Sequence, residues 1–226
     1  MAKFAKIIRE KSENFLIKKF MSLLERKIAN KRKGRFSFVL TGGKSPIRLY
    51  RSLSKNRKIP WKKIDFFIGD ERYVKESSKH SNIKMCKKNL LNNINISNNQ
   101  IYKISTNKNS IKKDTYYYNS KIKKYFLNKK VAFDLILLGI GNDGHIASLF
   151  KENVNQISYK NVATVKKKDF SRITLTLKCI NSCKMIALWA PGKRKSIIIK
   201  KILKDKKFRY PASYLKKVNN FLFHSN

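Results

Sequence analysis

His145 and Asp143 stand two residues apart, interspersed with Gly141 and Gly144, shortly after the apolar run Leu135 to Leu138. An imidazole moves protons near neutral pH, and a carboxylate beside it orients the ring or lends it basicity. A lone histidine is more often structural than catalytic. One delivered with an aspartate to a glycine-flanked strand end is better placed for catalysis, because open α/β sheets bind ligands there. A second charged group, Asp70-Glu71-Arg72, follows the apolar run Ile64 to Ile68. It reads either as a solvated charge run or as a pocket rim. The scarcity of acids, 13 Asp and Glu against 54 Lys and Arg, favours the rim.

Thr41-Gly42-Gly43-Lys44-Ser45 lies between an apolar run and Pro46, a residue suited to opening a helix. Its glycines let backbone N–H groups turn toward a phosphate, and a helix N-terminus adds partial positive charge. A plain tight turn is the alternative reading of the same residues. Lys44-Ser45 is like the end of a nucleotide-triphosphate loop, but that motif needs glycine where Phe38 stands, which excludes it. Gly139, Gly141 and Gly144 have dinucleotide-fingerprint spacing. Asp143 would then repel a pyrophosphate, and Lys166-Lys167-Lys168 follow where a ribose-binding acid is wanted, although they suit a 2′-phosphate. Arg172 and Lys195 are candidate oxyanion clamps. Cys179 and Cys183 have near-ligand spacing without a histidine or further cysteine beside them, so zinc is not expected. Together with Cys86 they read as buried thiols.

The elements that must position these groups follow from periodicity. Phe4, Ile7, Ile8, Phe15, Leu16, Phe20, Leu23 and Leu24 predict one or two N-terminal amphipathic helices closed by Gly34. Phe36–Leu40 and Ile64–Gly69 read as strands, and Asn82–Leu91 as a helix. Ile101–Ile104 is a short strand, and Thr115–Phe126 a tyrosine-rich helix. After the strand ending at Leu138, Ile146–Phe150 reads as helical. Asn161–Val165, Ile173–Leu177 and Met185–Ala190 read as strands, and Lys193–Leu203 as a basic helix. Alternation of this kind predicts α/β architecture: a doubly wound, mostly parallel sheet with helices on both faces, formed by residues 1–226 as a single domain. The turns after Leu40, Gly69, Leu138 and Ala190 would then share the carboxyl edge of one sheet and enclose one pocket. That inventory suits proton-transfer or hydrolytic chemistry on a small phosphorylated substrate, without metal or redox cofactor.

A net charge of +41 invites anions. The bases are scattered through every segment alongside abundant Asn and Ile, a pattern of compositional drift rather than of a nucleic-acid-binding arm. Tyr116, Tyr117, Tyr118 and Tyr125 could stack bases, but helix packing explains them as well. No stretch is apolar enough to span a bilayer, and Met1–Asn14 lacks the apolar core of a signal peptide, so a cytoplasmic protein is expected.

Several motifs in order resemble the 6-phosphogluconolactonase family over nearly the whole chain. They are Thr41-Gly42-Gly43-Lys44-Ser45-Pro46, Gly69-Asp70-Glu71-Arg72-Tyr73-Val74, Ser81-Asn82-Ile83-Lys84-Met85, Asp134 to Phe150, Arg172-Ile173-Thr174-Leu175-Thr176, Gly192-Lys193-Arg194-Lys195 and Tyr210-Pro211-Ala212-Ser213. The resemblance implies hydrolysis of 6-phosphogluconolactone to 6-phosphogluconate, a step of the oxidative pentose phosphate pathway, by a monomer or small homo-oligomer. His145, Asp143, Arg72 and Asp70 are then the catalytic candidates. Thr41, Gly42, Gly43, Ser45, Gly141, Arg172 and Lys195 are the substrate-binding ones. The related aminosugar-phosphate deaminases and isomerases resemble one another in carrying a glutamate where Phe150 stands, and an apolar ring moves no protons. Lys75 and Lys151 replace prolines usual in the family, which implies looser turns there.

Overall fold

The computed structural model describes residues 4–106, 110–154, 160–216 and 220–225. In chain order these form β1 (Lys6–Glu10), α1 (Glu13–Ala29), β2 (Phe36–Leu40), α2 (Ile47–Ser54), β3 (Ile64–Ile68), β4 (Asp70–Arg72), α3 (Asn82–Asn89), β5 (Ile101–Tyr102) and α4 (Ile111–Tyr125). They continue with β6 (Leu135–Gly139), β7 (Val162–Val165), β8 (Arg172–Leu175), α5 (Leu177–Asn181), β9 (Ile186–Ala190), α6 (Ser196–Lys204) and β10 (Asn220–Ser225). The principal sheet has seven strands in the order β1-β10-β9-β6-β2-β3-β5, every adjacent pair parallel. All five residues of β2, β3 and β9 are buried, so both faces of the sheet are covered. Strands of that kind are mostly apolar rather than alternating, as Ile-Ala-Leu-Trp-Ala is and as Phe-Ser-Phe-Val-Leu is apart from Ser37.

Strand order fixes where a ligand can sit. From β2 the chain crosses to β3 on one side, whereas from β6 it crosses to β9 on the other. The loops leaving the neighbours β2 and β6 therefore part, opening a crevice at their carboxyl ends. The Thr41 hydroxyl spans its floor, accepting the Gly139 N–H at 3.4 Å.

Two expectations are corrected and a third is refined. The segment at Phe4–Ile8 is not helical: Lys6–Glu10 is a strand paired residue for residue with Phe221–Ser225. That partner lies some two hundred residues away, beyond the reach of local periodicity. Ile146–Phe150 is a turn rather than a helix. Gly144 and Ala147 both take positive φ, +82° and +48°, and Ile146 bridges to Leu149. Asp70-Glu71-Arg72, expected as a charged group following a strand, is itself a strand, and Asp70 and Arg72 line the pocket as expected. This segment is the edge strand of a second, three-stranded antiparallel sheet of order β4-β8-β7, whose start at Gly69 is tied to β2 by its N–H on the Leu40 carbonyl (2.9 Å).

The three cysteines are buried and free, and burial pushes each thiol well up. Of the four tyrosines on α4, Tyr118 is buried with its hydroxyl bonded to the Ile68 backbone, and Tyr125 packs against Phe67 and Tyr102. Only Tyr116 and Tyr117 of these face solvent. No helix among the described residues is long and apolar enough to cross a membrane.

Candidate active site

One cleft at the crevice gathers residues from five separate segments. Thr41, Gly42, Gly43 and Ser45 come from the loop after β2, and Asp70 and Arg72 from β4. Asn82 opens α3, Gly139 ends β6, Ile140, Gly141, His145 and Ala147 belong to the loop after it, and Arg172 starts β8. Nine of the eleven residues expected from sequence line this cleft, and the other two, Asp143 and Lys195, bond directly to residues that line it.

His145 Nδ1 lies 2.6 Å from Asp143 Oδ1, and the His145 backbone N–H donates to the same oxygen at 3.2 Å. Partial burial would raise the Asp143 carboxyl, but the adjacent imidazole and these hydrogen bonds hold it below the usual range. The ionised carboxylate keeps a proton on Nδ1, so the neutral ring presents Nε2 as a lone pair. Among the described residues Nε2 has no protein partner, and the side chain is 32% exposed at the cleft wall. Phe150 packs its ring 4.7 Å from the imidazole and shields its far side. Gly141 permits this arrangement by having no side chain. A Cβ there would stand 2.1 Å from His145 Nδ1 and 2.6 Å from Asp143 Oδ1.

The loop after β2 is built for an anion. Gly43 has φ +84°, and among the described residues the N–H groups of Gly42, Gly43, Lys44 and Ser45 carry no hydrogen bond. Successive free donors of this sort form a concave nest for phosphate oxygens. Its first residue is rigid: the Tyr50 hydroxyl accepts from Thr41 N–H and donates to Thr41 O, at 2.9 and 2.8 Å. Across the cleft Arg172 is more than nine-tenths buried, ion-paired to Asp169 and laid over the Phe150 ring at 5.2 Å. Its Nε has no partner among the described residues. A buried guanidinium with a spare donor is suited to a phosphate or carboxylate.

Lys195 departs from expectation. It does not line the cleft. Its Nζ donates to the Ile140 carbonyl at 2.7 Å and to Asn142 Oδ1 at 2.9 Å, so it braces the His145 loop from outside. Burial lowers its pKa, with Asp143 opposing. Asp70 is likewise turned away from Arg72: its Oδ2 accepts the Ser148 hydroxyl at 2.7 Å, and Ser148 N–H reaches Thr174 Oγ1 at 3.3 Å. Ser148 therefore holds the turn that carries Ala147 in its strained conformation. The turns at Lys75 and Lys151 close without proline, through Ser78 N–H on Lys75 O (2.9 Å) and Val154 N–H on Phe150 O (2.8 Å).

Sequence reasoning missed Asn82 and the buried state of Glu71. Glu71 is 1% exposed and accepts four hydrogen bonds, from the backbone of Arg72, Asn82 and Ile83 and from the Ser81 hydroxyl. Burial pushes its carboxyl up to about 7, and the backbone donors pull against that rise. The available signal was Ser81, whose hydroxyl caps α3 by accepting Lys84 N–H at 3.2 Å and so marks Asn82 as the first helical residue.

Known proteins share this sequence pattern and this fold. A 6-phosphogluconolactonase of Synechocystis is 32% identical over 81% of this chain and 78% of its own. One from Thermotoga maritima is 30% identical over 85% and 84%. The crystal structure of the Thermotoga maritima 6-phosphogluconolactonase superposes with TM-score 0.85 at 27% identity, covering 97% of this chain and 98% of that one. A monomeric glucosamine-6-phosphate deaminase shares the fold at TM-score 0.83 and 18% identity. The family model described as glucosamine-6-phosphate isomerases/6-phosphogluconolactonase matches residues 10–223, and the chain belongs to that family.

Proposed function

We propose that this chain hydrolyses 6-phospho-D-glucono-1,5-lactone to 6-phosphogluconate, with His145 as general base. The observation that carries the mechanism is the His145–Asp143 pair: Nδ1 is committed to the carboxylate, and Nε2 is left to a water molecule in the cleft. The water gives a proton to Nε2 as its oxygen bonds to the lactone carbonyl carbon. Negative charge develops on the carbonyl oxygen, where Arg72 or a free N–H of the glycine-rich loop stabilises it. Collapse breaks the bond from that carbon to the ring oxygen, which takes the proton back from the imidazolium. The 6-phosphate rests on Gly42, Gly43 and Ser45, with Arg172 as charge partner, and Asp70 shapes the wall through Ser148. The substrate is a small phosphorylated sugar lactone met in the cytoplasm by a monomer or small homo-oligomer, and no metal or organic cofactor takes part.

Within the family this reading is favoured over aminosugar deamination by Phe150. Its ring occupies the space beside His145 where the deaminases are expected to place a carboxylate. The test is lactone hydrolysis measured against the spontaneous background, with phosphorylated and unphosphorylated gluconolactone in parallel. Only the phosphorylated lactone is turned over efficiently, and His145→Asn lowers kcat by roughly 100- to 10,000-fold. Ammonia release from glucosamine 6-phosphate at a comparable rate, or a loss below tenfold in His145→Asn, overturns the assignment.

A further inference from the structure

Arg72 is held by one buried amide and one backbone carbonyl. Its Nη1 donates to Asn82 Oδ1 at 2.7 Å and to the His80 carbonyl at 3.0 Å, whereas the Asp70 carboxylate is engaged elsewhere. The Asn82 Nδ2 group donates to the Asp70 carbonyl at 2.7 Å, which fixes which end of the amide meets the guanidinium. Asn82 is 2% exposed, and Glu71 holds its backbone N–H at 2.7 Å. The same side chain abuts the anion nest so closely that a Cβ on Gly42 would fall 1.9 Å from Asn82 Oδ1. One amide thus touches β4, the Arg72 fork and the glycine-rich loop.

We propose that Asn82 is a positioning residue for the lactonase reaction: it clamps Nη1 of Arg72 so that the rest of the guanidinium faces the ligand seated on Gly42 and Gly43. The proposal rests on the reaction proposed above, and it goes beyond it by naming what aims the oxyanion donor. Without the clamp the arginine still carries its charge but samples other rotamers. A donor displaced by about 1 Å costs on the order of 100-fold in rate.

Two variants separate positioning from plain structural support. Asn82→Ala removes the acceptor for Arg72. Asn82→Asp keeps an oxygen there but turns an oxygen toward the Asp70 carbonyl, a loss to the local fold. Asn82→Ala is expected to lower kcat roughly 10- to 100-fold, and Asn82→Asp to recover to within about fivefold of the parent. Combined with Arg72→Ala, the Asn82→Ala change should add less than about twofold, as coupled groups do. An aspartate variant no better than alanine, or a double variant showing the full additional loss, overturns the proposal. A second readout is independent of turnover: in nitrogen-15 spectra the Arg72 Nη protons are resolved in the parent and averaged in Asn82→Ala. Unchanged spectra also overturn it. If the parent fails to accelerate lactone hydrolysis, the proposed reaction falls alone, and the spectra still decide the clamp.

Discussion

Gly141→Ala is the sharpest perturbation the cleft offers. The residue does not have positive φ, so alanine meets no backbone penalty and the loss is steric alone. Its new methyl would lie 2.1 Å from His145 Nδ1 and 2.6 Å from Asp143 Oδ1, whereas ordinary contacts to carbon lie at about 3.5 Å. Either the imidazole or the loop must retreat by more than about 1 Å, and a reacting group misplaced that far loses on the order of 100-fold. Converted at 1.36 kcal/mol per tenfold, that is about 2.7 kcal/mol of transition-state stabilisation. The nest and Arg172 are untouched, so KM should hold while kcat falls. Gly139→Ala is the matched control: a methyl there meets only Thr41 Oγ1, at 3.9 Å, and should leave kcat within about threefold. Both variants are assayed for phosphorylated-lactone hydrolysis and for thermal unfolding. If Gly141→Ala keeps parental kcat, or loses it only in proportion to lost folded protein, the close approach of Gly141 to the imidazole does not govern catalysis.

Two further outcomes follow from the charges. Glu71 has a folded pKa of about 7, above the roughly 4.3 of an unfolded glutamate. The native state therefore binds the extra proton between those values, and its contribution to stability, on the order of 3 kcal/mol, is full below about pH 4 and lost as pH rises through 7. Denaturation by urea at pH 5 and pH 8 should show the parent more stable at the lower value, and Glu71→Gln should flatten the difference. The carboxylates held low, among them Asp134 and Asp205, lose their contribution only at more acid pH, below this window. Lys195→Ala should lower kcat more than it raises KM, because Nζ braces Ile140 and Asn142 instead of lining the cleft. A KM effect alone would return Lys195 to the phosphate.

The strands that bear the site were legible because β2, β3, β6 and β9 are short, mostly apolar runs, each followed within two residues by a glycine, as a doubly covered parallel sheet requires. From that follows the shared edge, and with it the meeting of Thr41, Asp70, His145 and Arg172. What stayed hidden depended on distant partners. β1 is defined by β10, and β4 by β8, neither of which leaves a mark on its own segment. Asp-Glu-Arg looks solvated until the helix that Glu71 caps is folded against it. The helix expected after His145 failed because Ser148 finds Asp70 and Thr174, contacts that outweigh local propensity. Asn82 was quoted within a motif yet went unrecognised, since its role arises only when Gly42 and Arg72 approach it from other elements.

The pairing of Lys6–Glu10 with Phe221–Ser225, inside the order β1-β10-β9, also orders events in time. Among the described strands β1 has no neighbour except β10, so β1 stays single until β10, made some two hundred residues later, has emerged. Until then β9 also lacks its outer partner, and two unpaired edges rich in isoleucine and tryptophan wait together for the same six residues. Completion of the sheet thus waits for β10.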